Sequence, residues 1–231
     1  MSGHSKWSKI KRQKGLNDKQ KGAVFSKLSR LITLAVSQGS GSEDLNINFR
    51  LRLAVEKAKA MNMPKETIDR AIKKAKEKDS ANLQEIIYEG FVPGGVAVLI
   101  LVTTDNPNRS SAVVRNVMDL NGGKLGVSGS AMHYFRKEAV ISFVANAKSE
   151  EELFAVAERF DAYDIETVDN QVIIHIPFTK IGESAKFLPE AHYQAILPVE
   201  VANKVILNSI YKLFEELEGL DDVHSVFSNV K

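Results

Sequence analysis

Apolar residues recur at helical spacing through the first third of the chain and mostly in short alternating runs after it. Phe25, Leu28, Leu31, Ile32 and Ala35 make one stripe and predict a helix over about Asp18–Gln38, with Ser26, Arg30 and Thr33 opposite. After the Gly39–Ser42 loop, Leu51, Ala54, Val55, Ala58 and Met61 predict a second helix over about Asn48–Met61. Pro64 suits the first turn of a third, whose inner face is Ile68, Ala71, Ile72 and Ala75 and whose outer face shows Arg70, Lys73 and Lys76. Three amphipathic helices of this kind can bury one another.

From about Leu83 the period changes. Gln84–Phe91 and Val96–Thr103 read as strands joined by a turn through Val92, Pro93, Gly94 and Gly95. Asn108 is expected to cap a helix to Asn121 with Ala112, Val113, Val117 and Leu120 inward, and Ala131–Phe135 is expected to be a strand. Next come a strand at Val140–Val144, a capping box from Ser149 and Glu152 opening a helix to Phe160, and a hairpin Asp164–Val168 with Val172–Ile176. A helix over Thr179–Leu188 and a strand at His192–Leu197 complete a β-α-β-β-α-β order, the plan of ferredoxin-like domains. A long helix after Pro198 and a strand at Val223–Phe227 remain. Residues 83–135 lack a second covering helix, which this last pair would supply, though the helix could instead pack only on the middle unit.

The expected fold is therefore α+β. It has a helical domain at 1–80 and two ferredoxin-like α/β domains, one (137–198) inserted into the other (81–136 plus 199–231).

Composition narrows the function. There is no cysteine, which excludes disulfides and thiolate chemistry and suits a reducing compartment. No apolar run reaches a membrane span, and the N-terminus has no signal-peptide core. The net charge of +2 hides a split: residues 1–78 carry 19 Lys/Arg against 7 Asp/Glu, and residues 79–231 carry 12 against 22. Such asymmetry points to a polyanionic partner for one part of the chain. It is sharpest up to Gln38, where Lys6, Lys9, Lys11, Arg12, Lys14, Lys19, Lys21, Lys27 and Arg30 face one acid, Asp18.

Several local motifs resemble one family. Gly3-His4-Ser5-Lys6-Trp7 with Ile10 and Lys11, Asn62–Ile68, Ile87–Gly90, Pro93–Gly95, Asp105-Asn106 with Asn108–Ser110, Gly122–Gly126 with Gly129-Ser130, and Leu220–Val223 follow the order seen in the YebC family. Val92 and Pro107 depart from its usual pattern, both in loops. The resemblance implies a helical N-terminal domain, two α/β domains with one interrupted by the other, and a cytoplasmic regulator of gene expression. Bacterial relatives are mostly described as DNA-binding transcriptional regulators. Mitochondrial ones include the translational activator of cytochrome c oxidase, and some bacterial ones associate with the ribosome. With no leader before Gly3, a bacterial-type cytoplasmic protein is the expectation.

The candidate nucleic-acid contacts are the nine bases just named, with His4 and Trp7. Densely placed Lys and Arg neutralise phosphates and release counterions. Trp7 could stack on an unpaired base or pin the arm to the helical domain, and His4 could touch phosphate. Five scattered histidines offer no metal spacing, the Asp105–Asn108 loop fails as a calcium loop, and Gly123-Lys124-Leu125-Gly126 reads as a turn. No acid–base–nucleophile set is evident, so no enzyme, cofactor or metal is expected. A membrane scaffold is the weakest alternative. The expected partners are DNA or ribosomal RNA, with the ribosome as the second reading. No heptad seam is evident, and a monomer is favoured.

Overall fold

The computed structural model describes residues 18–231 apart from 40, 77–81, 146 and 169, with the backbone alone at 18–20. The arm residues His4, Lys6, Trp7, Lys9, Lys11, Arg12 and Lys14 lie outside the described residues, as does the side chain of Lys19. The chain divides into two compact units, one running to Phe135 and resuming at Ala195–Lys231, the other Arg136–Gln194.

The described part of the first unit begins with α1 (Asp18–Gln38), α2 (Phe49–Ala60) and α3 (Lys65–Lys74). Leu28, Ile32 and Val36 of α1 pack on Leu51, Val55 and Ala58 of α2 and on Ile68 and Ala71 of α3. Asn48 caps α2 by accepting from the Leu51 N–H at 3.0 Å, while its amide donates to the carbonyls of Ala35 and Ser42. One residue thus satisfies a helix start and the end of the preceding helix. Of the residues opposite the apolar stripe of α1, Ser26 is exposed, whereas Thr33 is buried and donates to the Ala71 carbonyl at 2.9 Å.

A four-stranded antiparallel sheet follows, in the order β3-β1-β2-β8. The strands are β1 (Gln84–Val92), β2 (Val96–Thr104), β3 (Lys124–Leu125) and, from the chain's end, β8 (Val223–Ser228). The β1–β2 turn places Gly94 and Gly95 at φ 84° and 73°, a region that favours glycine. β2 is buried along its whole length, which suits a central strand. Helix α4 (Pro107–Leu120) packs against a C-terminal helix, Lys204–Gly219, and both contribute to the core around β2. The late helix and strand therefore complete the early sheet.

The structure departs from the sequence pattern at two places around this sheet. Asn106 rather than Asn108 caps α4, with Pro107 at the first helical position, and the inner face is Ser110, Val114 and Met118. Val113 and Leu120 are exposed. The inward turn of polar Ser110 follows from its bonds to Thr104 and Asp222, which hydrophobic periodicity does not register. Ala131–Phe135 is not a strand: Met132–Tyr134 is a 3-10 turn. The cause is Glu89, whose buried carboxylate accepts from the N–H groups of Gly129, Ala131 and Met132, each at 2.7 Å. Donors captured by a side chain are lost to a ladder.

The second unit holds β4 (Phe135–Val144), α5 (Glu150–Arg159), β5 (Asp164–Val168), β6 (Gln171–Pro177) and β7 (Glu190–Ala195), so the C-terminal helix of the first unit is α6. Its sheet order is β5-β6-β4-β7, the arrangement of a ferredoxin-like domain. The capping box of Ser149 and Glu152 opens α5 as expected. The helix expected over Thr179–Leu188 is replaced by two 3-10 turns, Phe178–Lys180 and Ala185–Phe187. Gly182 weakens a helix there, and Pro189 stops it at Leu188, which sits at φ 53°.

One sheet face of this unit joins α5 through Ala139, Ile141, Ile174 and Ile176. The other carries buried charge. His175 Nδ1 lies 2.6 Å from Glu138 Oε1 and its Nε2 3.5 Å from Glu166, while the His192 ring stands edge-on, 6.3 Å between centroids. Burial disfavours a charged imidazole, but the hydrogen bonds and charges of Glu138 and Glu166 outweigh it and push His175 up to about 9. Burial holds His192 below its ordinary value.

Candidate nucleic-acid interface

The described cations of the helical segment fall into two groups. Those on α2 and α3 point outward. Arg50, Lys59, Lys65, Arg70 and Lys73 are exposed. Lys59 pairs with Glu56 at 2.6 Å and Arg50 donates to Gln38, both on the surface. No ion pair engages Lys65, Arg70 or Lys73 among the described residues. The exposed side of α3 has no Asn or Gln, so it offers no amide to read adenine, while its Arg and Lys side chains suit phosphates or guanine edges.

The cations of α1 behave differently. Of the expected contacts, Lys21 is exposed near the start of α1, whereas Lys27 and Arg30 turn to the C-terminal segment. Lys27 Nζ donates to the Glu218 carbonyl, and Arg30 Nη1 reaches Asp222 Oδ1 at 2.5 Å. Asp222 is a hub. Its other oxygen accepts from Ser110 Oγ at 2.6 Å and Arg109 Nη2 at 3.1 Å, with Thr104 Oγ1 at 3.4 Å. Burial raises this carboxyl, yet the bonds from Ser110 and Arg109 and the charges of Arg30 and Arg109 hold it below the ordinary range. Arg109 is raised by the same pairing, with Asp105 at 2.8 Å adding to it.

These contacts border a cleft of about 690 Å³, walled by Ser26, Ser29 and Arg30 of α1, by Lys74, and by Arg109 and Val113 of α4. Two motifs far apart in sequence, Asp105–Ser110 and Leu220–Val223, meet there. Their convergence was not readable from either alone, since the residue types are ordinary helix-capping ones.

The profile described as TACO1/YebC protein N-terminal domain matches residues 5–78, and that described as TACO1/YebC second and third domain matches residues 83–230. The chain belongs to the TACO1/YebC family. Among TACO1/YebC relatives, a "probable transcriptional regulatory protein" of Chloroflexus aurantiacus is 41% identical over 242 residues, covering 100% of this chain and 95% of that protein. A protein of the same description from Synechococcus sp. is 42% identical over 240 residues, covering 99% and 95%. The crystal structure of a conserved hypothetical protein from Aquifex aeolicus superposes with a TM-score of 0.84 at 38% identity, covering 93% of this chain and 91% of that one.

Among the described residues, no three His, Asp or Glu side chains gather as metal ligands would, and no helix is long and apolar enough to cross a membrane.

Proposed function

We propose that this protein is a cytoplasmic regulator of gene expression that acts by gripping nucleic acid, with duplex DNA as the target and the arm with its adjoining helices as the grip. The observation that carries the reading is charge segregation: 19 Lys/Arg against 7 Asp/Glu up to residue 78, reversed beyond it. The outward cations of α2 and α3 support it, and so do the relatives described as probable transcriptional regulatory proteins. Acidic α/β units would keep the rest of the chain off the phosphate backbone. Catalysis plays no part in this reading.

A second reading, a translation factor on ribosomal RNA, is favoured by one observation. The exposed side of α3 lacks base-reading amides, and an arm with one aromatic, Trp7, suits folded RNA as well as duplex.

Duplex binding across a salt series beside ribosome co-sedimentation separates the two. The DNA reading expects selective duplex binding that persists at 150 mM salt, with a log–log salt slope of about −5 if six phosphates are met. Ribosome association without duplex binding refutes it. Reversing Lys9, Lys11, Arg12 and Lys14 to Glu abolishes binding and leaves the melting temperature nearly unchanged; binding that survives places the grip elsewhere.

A further inference from the structure

We propose that Asp222 is a built-in competitor for nucleic-acid phosphate, occupying Arg30 and Arg109 so that gripping nucleic acid and releasing α1 from the C-terminal segment are one equilibrium. The inference rests on the nucleic-acid reading above.

The donors around Asp222 are those a phosphate takes. Two guanidinium groups, at 2.5 and 3.1 Å, and the Ser110 hydroxyl, at 2.6 Å, converge on one carboxylate at the first turn of α4. Nothing is left vacant: the chain's own anion fills the seat. All three side chains line the cleft, but Asp222 is only 15% exposed, whereas Arg30 and Arg109 are 31% and 50% exposed. An incoming phosphodiester therefore meets the guanidinium groups before it meets the carboxylate. Partly exposed ion pairs gain little over their hydrated forms, so exchanging one anion for another is nearly balanced.

The contact also holds α1 in place, with the Lys27 ammonium on the Glu218 carbonyl as its second anchor. Lys27 and Arg30 are two of the cations that the basic segment brings to nucleic acid. While they bind the C-terminal segment they are withheld from phosphate. Because Asp222 is held below the ordinary carboxyl range, the competitor stays charged throughout the neutral range. Salt, rather than pH, is what loosens it.

The test is Asp222→Asn in the full chain against a 20-base-pair duplex. The substitution removes the charge and keeps an oxygen for Ser110. Expected are about fivefold tighter binding at 100 mM salt and a log–log slope steeper by about 0.9 for each released cation. Affinity and slope equal to wild type overturn the inference while leaving the functional reading standing. Failure of the wild-type chain to bind any nucleic acid sinks both. Should Asp222→Asn fold poorly, the competitor can be kept intact and the motion measured. The chain has no cysteine, so spin labels at Ser29→Cys and Val113→Cys report the width of the cleft alone. The label distance is expected to lengthen on adding duplex; an unchanged distribution overturns the proposal.

Discussion

The charged row on the second unit's sheet makes its stability depend on alkaline pH. His175 faces Glu138 on β4, Glu166 on β5 and His192 on β7, and Arg136 lies 3.4 Å from the second oxygen of Glu138. The side chains of His175 and Glu138 are 6% and 0% exposed, so solvent screens the pair little. Its proton is held up to about 9 against an ordinary value of 6.5. A folded-state value above the unfolded one stabilises the fold fully below pH 6.5 and ceases to do so as pH rises through 9. Linkage gives about 3 kcal/mol at pH 6, of which about 2 kcal/mol is lost between pH 7 and 9. With a urea dependence of about 2 kcal/mol per molar, the midpoint falls by about 1 M over that range. Urea titrations followed by far-UV circular dichroism measure it. The double variant Glu138→Gln/His175→Gln, in which the pair no longer titrates, supplies the baseline. Equal losses in wild type and double variant, or an imidazole that titrates near 6.5 by NMR, would refute the reasoning.

Two further outcomes follow from buried polar contacts. Glu89→Gln weakens three short bonds to the 129–132 backbone and is expected to cost about 2–3 kcal/mol, with faster hydrogen exchange at Gly129, Ala131 and Met132. Unchanged exchange at those amides would show that the carboxylate does not hold the turn. Gly39→Ala would put a Cβ 2.1 Å from the Asn48 amide nitrogen, displacing the group that Asn48→Ala removes. Each is expected to cost about 1–3 kcal/mol, with the double variant little worse than either alone; additive costs in a double-mutant cycle contradict the shared cause.

Long amphipathic elements were legible from the chain because their burial is set by local period. The stripe Leu28, Ile32 and Ala35, the helix beginning near Asn48 and the capping box at Ser149 all behave as their spacing implies. What escaped is governed by partners distant in sequence. Ser110 turns inward for a carboxylate 112 positions away, and that contact rotates the inner face of α4 away from Val113. Glu89 unmakes a strand 42 positions on. β4 begins at Phe135 rather than Val140: the charged run Arg136–Glu138 shows no apolar period, and Glu138 is buried by pairing with His175. The same blindness covers the candidate interface. Arg30 has the composition of a phosphate contact, and only the fold reveals that Asp222 already holds it.

The pairing of β2 with β8 also sets a timetable for synthesis. β2 leaves the ribosome as an almost uninterrupted apolar strand, and its neighbour on one side, β8, is made about 120 residues later. At 5–20 residues per second that interval lasts roughly 6–24 s. Throughout it, the nascent chain carries an open strand edge of Val, Leu and Ile, the kind of edge that recruits other chains. The inserted unit, complete at Gln194, can fold while the first sheet waits. Nascent-chain chaperones would therefore be engaged mainly by β2, and their release would be timed by the arrival of Val223–Ser228.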